Sequence, residues 1–242
     1  MTDSNIESAL KQLMQKYEVK GHPRLNLLPG WHFLGKKLNE HDVPLLTWRS
    51  NRRFTELQKL VSEQVVEDVS MLRFSSFGSN EEWSLEALMY REFDLCEFIS
   101  GSNIVSLHAV FSDNSTGNII VKLASGVIGS MEVGVQAPVG RRLLERHEII
   151  ARRGVASDMV VDTQVPQSSV YTFTREGESV YKDVDNELFG LDEFQAEWVR
   201  AAFEVQKEPG QSEDLKTRHA RLSRLVDTAL MSNSGKQKME VI

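Results

Sequence analysis

Between Ile104 and Thr174 the chain repeats one local instruction, a short run rich in β-branched and apolar residues followed by a turn. The runs are IVSLHAVF (104–111), GNIIVKLA (117–124), GVIGSMEVGV (126–135), ERHEIIARRG (145–154), MVVDT (159–163) and SVYTFT (169–174). Turn residues in NSTGN (114–118) and ASG (124–126) predict antiparallel hairpins between neighbouring runs. An earlier strand-like run, VEDVSMLRFSSF (66–77), stands before the series. A sheet of this length must bury one face against another layer. Helical periodicity at about 83–99, from about Leu191 to 206, and over 213–231 supplies that layer. The expected architecture is α+β, a large and mostly antiparallel open sheet with helices on one face.

A smaller piece stands in front. Residues 4–17 form an amphipathic pattern with Ile6, Leu10, Leu13 and Met14 as its stripe. YEVKGHPRL begins like a strand and breaks at Gly21 and Pro23, residues 29–41 read as a helix, and VPLLTW (43–48) as a short buried strand. Strand, helix and strand in that order predict a parallel βαβ unit, too small to bury both its faces alone. NRRF (51–54) then leads into a helix ending near Ser62. The boundary between the small piece and the large one falls at residue 50, giving units over 1–50 and 51–242.

The helix LEALMYREFDLCEFIS, closed by Gly101, carries the most informative residue. Leu85, Leu88, Met89, Cys96 and Ile99 fall on one face, and Glu92 sits in the middle of that stripe, with Arg91 and Asp94 towards the other side. A carboxylate there must be paired, neutral or facing a cleft, because an unpaired buried charge is too costly.

Other chemistry is sparse. A net charge of −7 without a basic stripe argues against nucleic acid as a partner. A single cysteine, Cys96, permits no disulfide within one chain. The first residues lack a basic start followed by an apolar run, and no stretch of about 20 apolar residues occurs, so neither a signal peptide nor a membrane span is expected and a cytoplasmic location is. No glycine-rich phosphate loop is present, and the six histidines show no H-x-x-x-H, so no metal is expected. His147, between charged neighbours, reads as a surface residue. The five arginines of RRLLERHEIIARR (141–153) read as a solvated strand rim or dimer edge. Trp31, Trp48, Trp83 and Trp198 are scattered, and read as core or rim rather than as a stacking platform.

The order of these pieces resembles the Gfo/Idh/MocA family of nicotinamide-dependent sugar and cyclitol dehydrogenases. VPLLTWRSNRRF is similar to the family's last Rossmann strand and its N-R-R-F sequel. REFDLCEFISG is similar to H-D-x-D-L-x-x-x-L-x-G on the first helix of the second domain. SGVIGSMEV, HEIIARRGVAS and FGLDEFQAEWVRAAFEV resemble later landmarks of that domain, and ALKQLMQKYEVKGHP resembles the helix and strand that end in E-K-P. The resemblance implies that residues 1–50 are the remnant of a Rossmann domain, with the dinucleotide-binding half lying upstream of Met1.

The resemblance also implies lost catalytic groups. Gly21 and His22 stand where the glutamate and catalytic lysine of E-K-P are expected, Arg91 matches the catalytic histidine, and Ala87 the acid one turn before it. A guanidinium is no general base near neutral pH and alanine offers no proton. Glu92 and Asp94 match the two acids of H-D-x-D. The expectation is a chain without hydride transfer of its own, an oligomerisation, ligand-binding or regulatory relative with no cofactor. Its partners would be a second copy packed through the open sheet or a full-length homologue. The alternative is a sugar or polyol oxidoreductase whose NAD(P)-binding domain comes from a partner chain, with Arg91, Glu92, Asp94 and Arg53 as substrate-binding candidates.

Overall fold

The computed structural model describes residues 3–22, 24–159, 169–174, 177–182 and 190–241. Its main sheet has nine strands: β3 (Val69–Phe77), β4 (Ile104–Ser112), β5 (Thr116–Leu123), β6 (Ile128–Gly134), β7 (Leu144–Ala151), β8 (Gly154–Ser157), β9 (Ser169–Thr174), β10 (Gly177–Lys182) and β11 (Met239–Glu240). They lie in the order β10-β9-β8-β7-β3-β6-β5-β4-β11. Every pairing is antiparallel except β3 with β6. That one parallel contact follows from the chain leaving β3 through a helix, α3 (Leu85–Ser100), before the β4-β5-β6 meander.

The hairpin expected at NSTGN turns one residue earlier than that segment begins. Asp113 and Asn114 both adopt positive φ (50° and 52°), the conformation a tight hairpin turn needs and one these two residue types tolerate. MVVDT was expected as a strand, and its residues 160–163 lie outside the described residues, as does Pro23.

Alternation sorts each strand's side chains. Ile119, Val121 and Leu123 of β5 are buried with Met131 and Val133 of β6 in the main core, while Ile120 and Ile128 are exposed. Three helices share the covered face. They are α2 (Arg52–Ser62), α3 and α5 (Gln211–Gly235), with α2 over β8 to β10, α3 over β3, β5 and β6, and α5 over β4 and β11.

The piece in front differs from the βαβ reading. α1 (Asp3–Lys16) is present, but its following strand, β1 (Asn26–Pro29), lies after the residues YEVKGHP, and the helix expected over 29–41 is absent. Pro29 closes β1, a single 3-10 turn spans Gly30–Phe33, and Gly35 at φ +68° reverses the chain. Two glycines five residues apart leave room for one turn only, and helix nucleation is unfavourable in so short a span. β2 (Asp42–Leu45) pairs with β1 in parallel, as expected, in a separate two-stranded sheet. Val43 and Leu45 pack with Ala201, Ala202 and Val205 of α4 (Glu193–Lys207), and Leu10 of α1 leans on the same cluster. The capping box Asp192/Gln195 fixes where α4 begins.

Candidate functional site

Helix α3 is buried all round rather than along one stripe. From Ala87 to Glu97 every residue is buried, Arg91, Glu92 and Asp94 completely. Its charges are held in two groups on different sides.

Asp94 and Glu97 face the chain after β2 and the helix α5. Trp48 Nε1 and Arg49 Nε each donate to Asp94 Oδ2 at 2.7 Å, and Arg49 Nη2 donates to Oδ1 at 2.6 Å. Glu97 accepts from Ile104 N at 2.8 Å and binds Arg218 Nη1 and Arg221 Nη2 at 2.8 and 2.5 Å. Asp94 therefore fastens the 3-10 turn Thr47–Ser50 onto α3.

Arg91 and Glu92 point into a second, fully internal network. Arg91 Nη1 lies 2.9 Å from Glu92 Oε1 and 2.6 Å from Glu145 Oε2 on β7. Glu92 Oε2 meets His147 Nε2 at 3.0 Å, while His147 Nδ1 lies 2.6 Å from Asp158 Oδ2. Arg53, at the start of α2, pairs with Glu145 and reaches Asp158 and Glu193 at 3.4 and 3.1 Å. Asn51 caps α2 by accepting from Arg53 N, and its amide donates to Glu193 and Glu197, both at 2.7 Å. Phe54 forms the apolar wall, edge-on to His147 and beneath the guanidiniums of Arg53 and Arg91.

The electrostatics follow from this packing. Burial alone would lower His147, but Asp158 and Glu92 outweigh it and raise its pKa to about 9. Burial would raise Glu145, yet Arg53 and Arg91 hold it down at about 2. Glu197, less well compensated, is pushed up by burial to about 7. An imidazolium donating from both nitrogens has no lone pair left, so His147 is no general base, and its pairing with Asp158 is not that of a hydrolase triad. The ligand atoms of Glu92, Glu145 and His147 lie within 4.8 Å of one another, close enough for a metal. That geometry is offset by charge, because Arg91 bonds both carboxylates, Arg53 shares Glu145, and a protonated histidine offers no ligand atom.

Three sequence-based expectations change here. His147 is not a surface residue but completely buried. The strand carrying it is no rim, since β7 lies between β8 and β3. The tryptophans are not scattered, because Trp31 stacks on Trp48 at 5.4 Å and meets Trp83 at 5.0 Å. Trp48 also meets Tyr90 edge-on, and Trp83 meets Phe194. Trp198 stands apart and donates to Leu27 O at 3.2 Å.

Of the candidates, Arg53, Arg91 and Glu92 are brought together, and Asp94 faces its own partners. Ala87 is buried, its N–H capped by Ser84 Oγ at 3.1 Å. His22 is exposed and its N–H donates to Gln206 Oε1, on a different part of the fold. Among the described residues the strand ending in proline is Asn26–Pro29, so Leu27 and Leu28, neither titratable, precede that proline. Glu145, Asp158 and Glu197 carry no role in the sequence reading, which places His147 on the surface. The signal was the two-residue alternation of β7, which puts Glu145, His147 and Ile149 on one face.

No family model matches the sequence and no curated protein matches it. Solved structures match its fold. Levoglucosan dehydrogenase, in complex with NADH and levoglucosan, aligns with a TM-score of 0.65 at 12% identity, over 81% of this chain and 65% of that one. An oxidoreductase from Pseudomonas syringae gives 0.66 at 9%, over 83% and 64%. An oxidoreductase from Agrobacterium radiobacter in complex with NAD+, L-tartaric acid and magnesium gives 0.65 at 11%, over 83% and 65%. The chain shares the fold of these structures. The chain spans just under two thirds of the length of these neighbours, and among its described residues no helix is long and apolar enough to cross a membrane.

Proposed function

We propose that this chain is a Gfo/Idh/MocA-type relative that does not transfer hydride itself and serves as an oligomerising, ligand-binding or regulatory cytoplasmic subunit. The observation that carries the reading is the state of Arg91. At the position where the resemblance expects the catalytic histidine stands a guanidinium with no exposed surface, held by Glu92 and Glu145. Around it Glu92, Glu145, His147 and Asp158 are ion-paired and buried, so these four groups are engaged with one another rather than presented to a substrate.

The test is direct. Purified protein titrated with NADH and with NADPH should give no energy transfer from its tryptophans to the nicotinamide, and no oxidation of sugars or polyols with NAD+ or NADP+. Saturable transfer with either nucleotide would overturn the reading. A second reading, an oxidoreductase completed by a partner's cofactor domain, is favoured by one observation. Among the described residues the β1–β2 sheet has two strands, and while β2 is buried, β1, with Asn26 and Leu28 exposed, forms an edge that another chain's strand fits. Co-purification with a full-length homologue, with activity only in the mixture, would support that alternative.

A further inference from the structure

A cleft of about 710 Å³ opens between the chain after β2, the C-terminal half of α4 and the first half of α5. Its apolar walls come from Leu45, Leu46, Ala201, Val205 and Leu215, and its polar surface includes four arginines, Arg49, Arg218, Arg221 and Arg224. The size and the mixture suit a small organic ligand, mostly apolar with a few convergent polar groups.

Three of the arginines are set in place from behind. Buried Asp94 holds Arg49 through Nε and Nη2, and buried Glu97 holds Arg221 through the same two atoms and Arg218 through Nη1. That leaves Arg49 Nη1, Arg221 Nη1 and Arg218 Nη2 without a partner among the described residues. The three side chains keep 27%, 22% and 30% of their surface, so these N–H groups are wet rather than stranded. Asp94 and Glu97 offset much of the charge at a distance, but they lie behind the guanidiniums. Two carboxylates, Glu204 and Asp214, also line the cleft, and Glu204 is within 3.8 Å of Lys207. An entering ligand therefore meets pre-oriented guanidinium donors, the geometry suited to carboxylate and phosphate oxygens.

We propose that this cleft binds an amphipathic organic anion, a carboxylate or phosphate monoester carried on an apolar body, with Arg49, Arg218 and Arg221 on the anionic head and Leu45, Val205 and Leu215 on the body. The site is separate from the Arg91 network and independent of whether the chain transfers hydride.

The test compares 1-naphthoate, 1-naphthyl phosphate and 1-naphthylmethylamine, which share a ring and differ in charge, by calorimetric titration of the full chain. At least one anion should bind saturably and the ammonium compound should not. The two anion arms decide between carboxylate and phosphate, and inorganic phosphate alone should bind more weakly than the naphthyl ester. Arg218→Gln leaves Arg221 on Glu97, and Thr217→Glu adds a carboxylate at an exposed lining position without touching either buried pair. Each should weaken anion binding by about tenfold or more, with circular dichroism confirming an unchanged fold. Binding of the ammonium compound as tightly as the anions would overturn the proposal. So would unchanged affinity in Thr217→Glu, or no heat from either anion at about 1 mM, where affinity is negligible.

Discussion

His147 is the residue on which the interior turns, because it is the cation between two carboxylates from different parts of the chain, Glu92 on α3 and Asp158 just beyond β8. Removing one member of a buried ion-paired set leaves its partners charged and uncompensated, a loss of about 3–5 kcal/mol. His147→Gln should lower unfolding stability in urea by that amount, and adding Glu92→Gln to it should restore part of the loss; a single variant as stable as the parent would contradict the network. The same groups set the pH profile. His147 is raised above its unfolded value, so its stabilisation is complete below about pH 6.5 and is lost as pH rises towards about 9. Glu197, also raised, favours the fold most below about pH 4.5 and declines up to about 7, whereas Glu145, depressed to about 2, loses its contribution as pH falls from about 4.5. The thermal midpoint should therefore be highest near pH 5 and fall on either side, and a midpoint unchanged from pH 6 to 9.5 would show that His147 does not carry the charge assigned to it. At this scale the sequence announced half of the arrangement. Glu92 was conspicuous because a carboxylate on an apolar stripe demands a partner, but a strand's partner for a helix is set by tertiary packing, and charged neighbours disguised His147 as solvated.

Elements were legible where periodicity was long and obscure where the chain was short. α3, α4 and α5 and strands β3 to β7 follow patterns that burial enforces over many residues. β10 escaped notice because GESVYK carries little apolar signal and is placed by pairing with β9. The corner that replaces the helix expected over 29–41 is also held by packing. Gly30 lies so close to the Tyr90 ring that any side chain there would collide with it, and Tyr90 is itself buried and bonded to His219 Nδ1 at 2.9 Å. The strand-to-turn corner after Pro29 thus depends on a bare backbone against α3. Gly30→Ala should cost about 1–3 kcal/mol through overpacking, and Gly30→Ala combined with Tyr90→Phe should recover part of it because the hydroxyl is the nearest obstacle. Equal thermal midpoints for parent and Gly30→Ala would mean that the corner yields without strain.

At the scale of the whole molecule, the face of the nine-stranded sheet that no helix covers among the described residues is where contact between copies is expected. Register places Phe173 of β9, Val155 of β8, Ile150 of β7, Met71 of β3 and Ile128 of β6 in one row across five strands, since each pairs with the next. Phe173 and Ile128 are 39% and 49% exposed, and Ile120 and Val110, nearby on the same face, are 50% and 58% exposed. A continuous apolar row of this kind is unusual on a monomer's surface and marks a contact. Beside it Glu148 pairs with both Arg73, at 2.5 Å, and Arg146. Face-to-face pairing of two such sheets needs roughly 800 Å² from each partner to be stable, which a row spanning five strands and its neighbours can supply. The chain should therefore run as a dimer in light scattering. Ile128→Glu together with Phe173→Glu should convert it to a monomer with little change in the thermal midpoint of the subunit, because both side chains project away from the core that α2, α3 and α5 cover. If the parent is a monomer at every concentration tested, the face is covered by something other than a second copy. If the double variant stays dimeric, the contact lies elsewhere, with the β1 edge of the two-stranded sheet the next place to mutate.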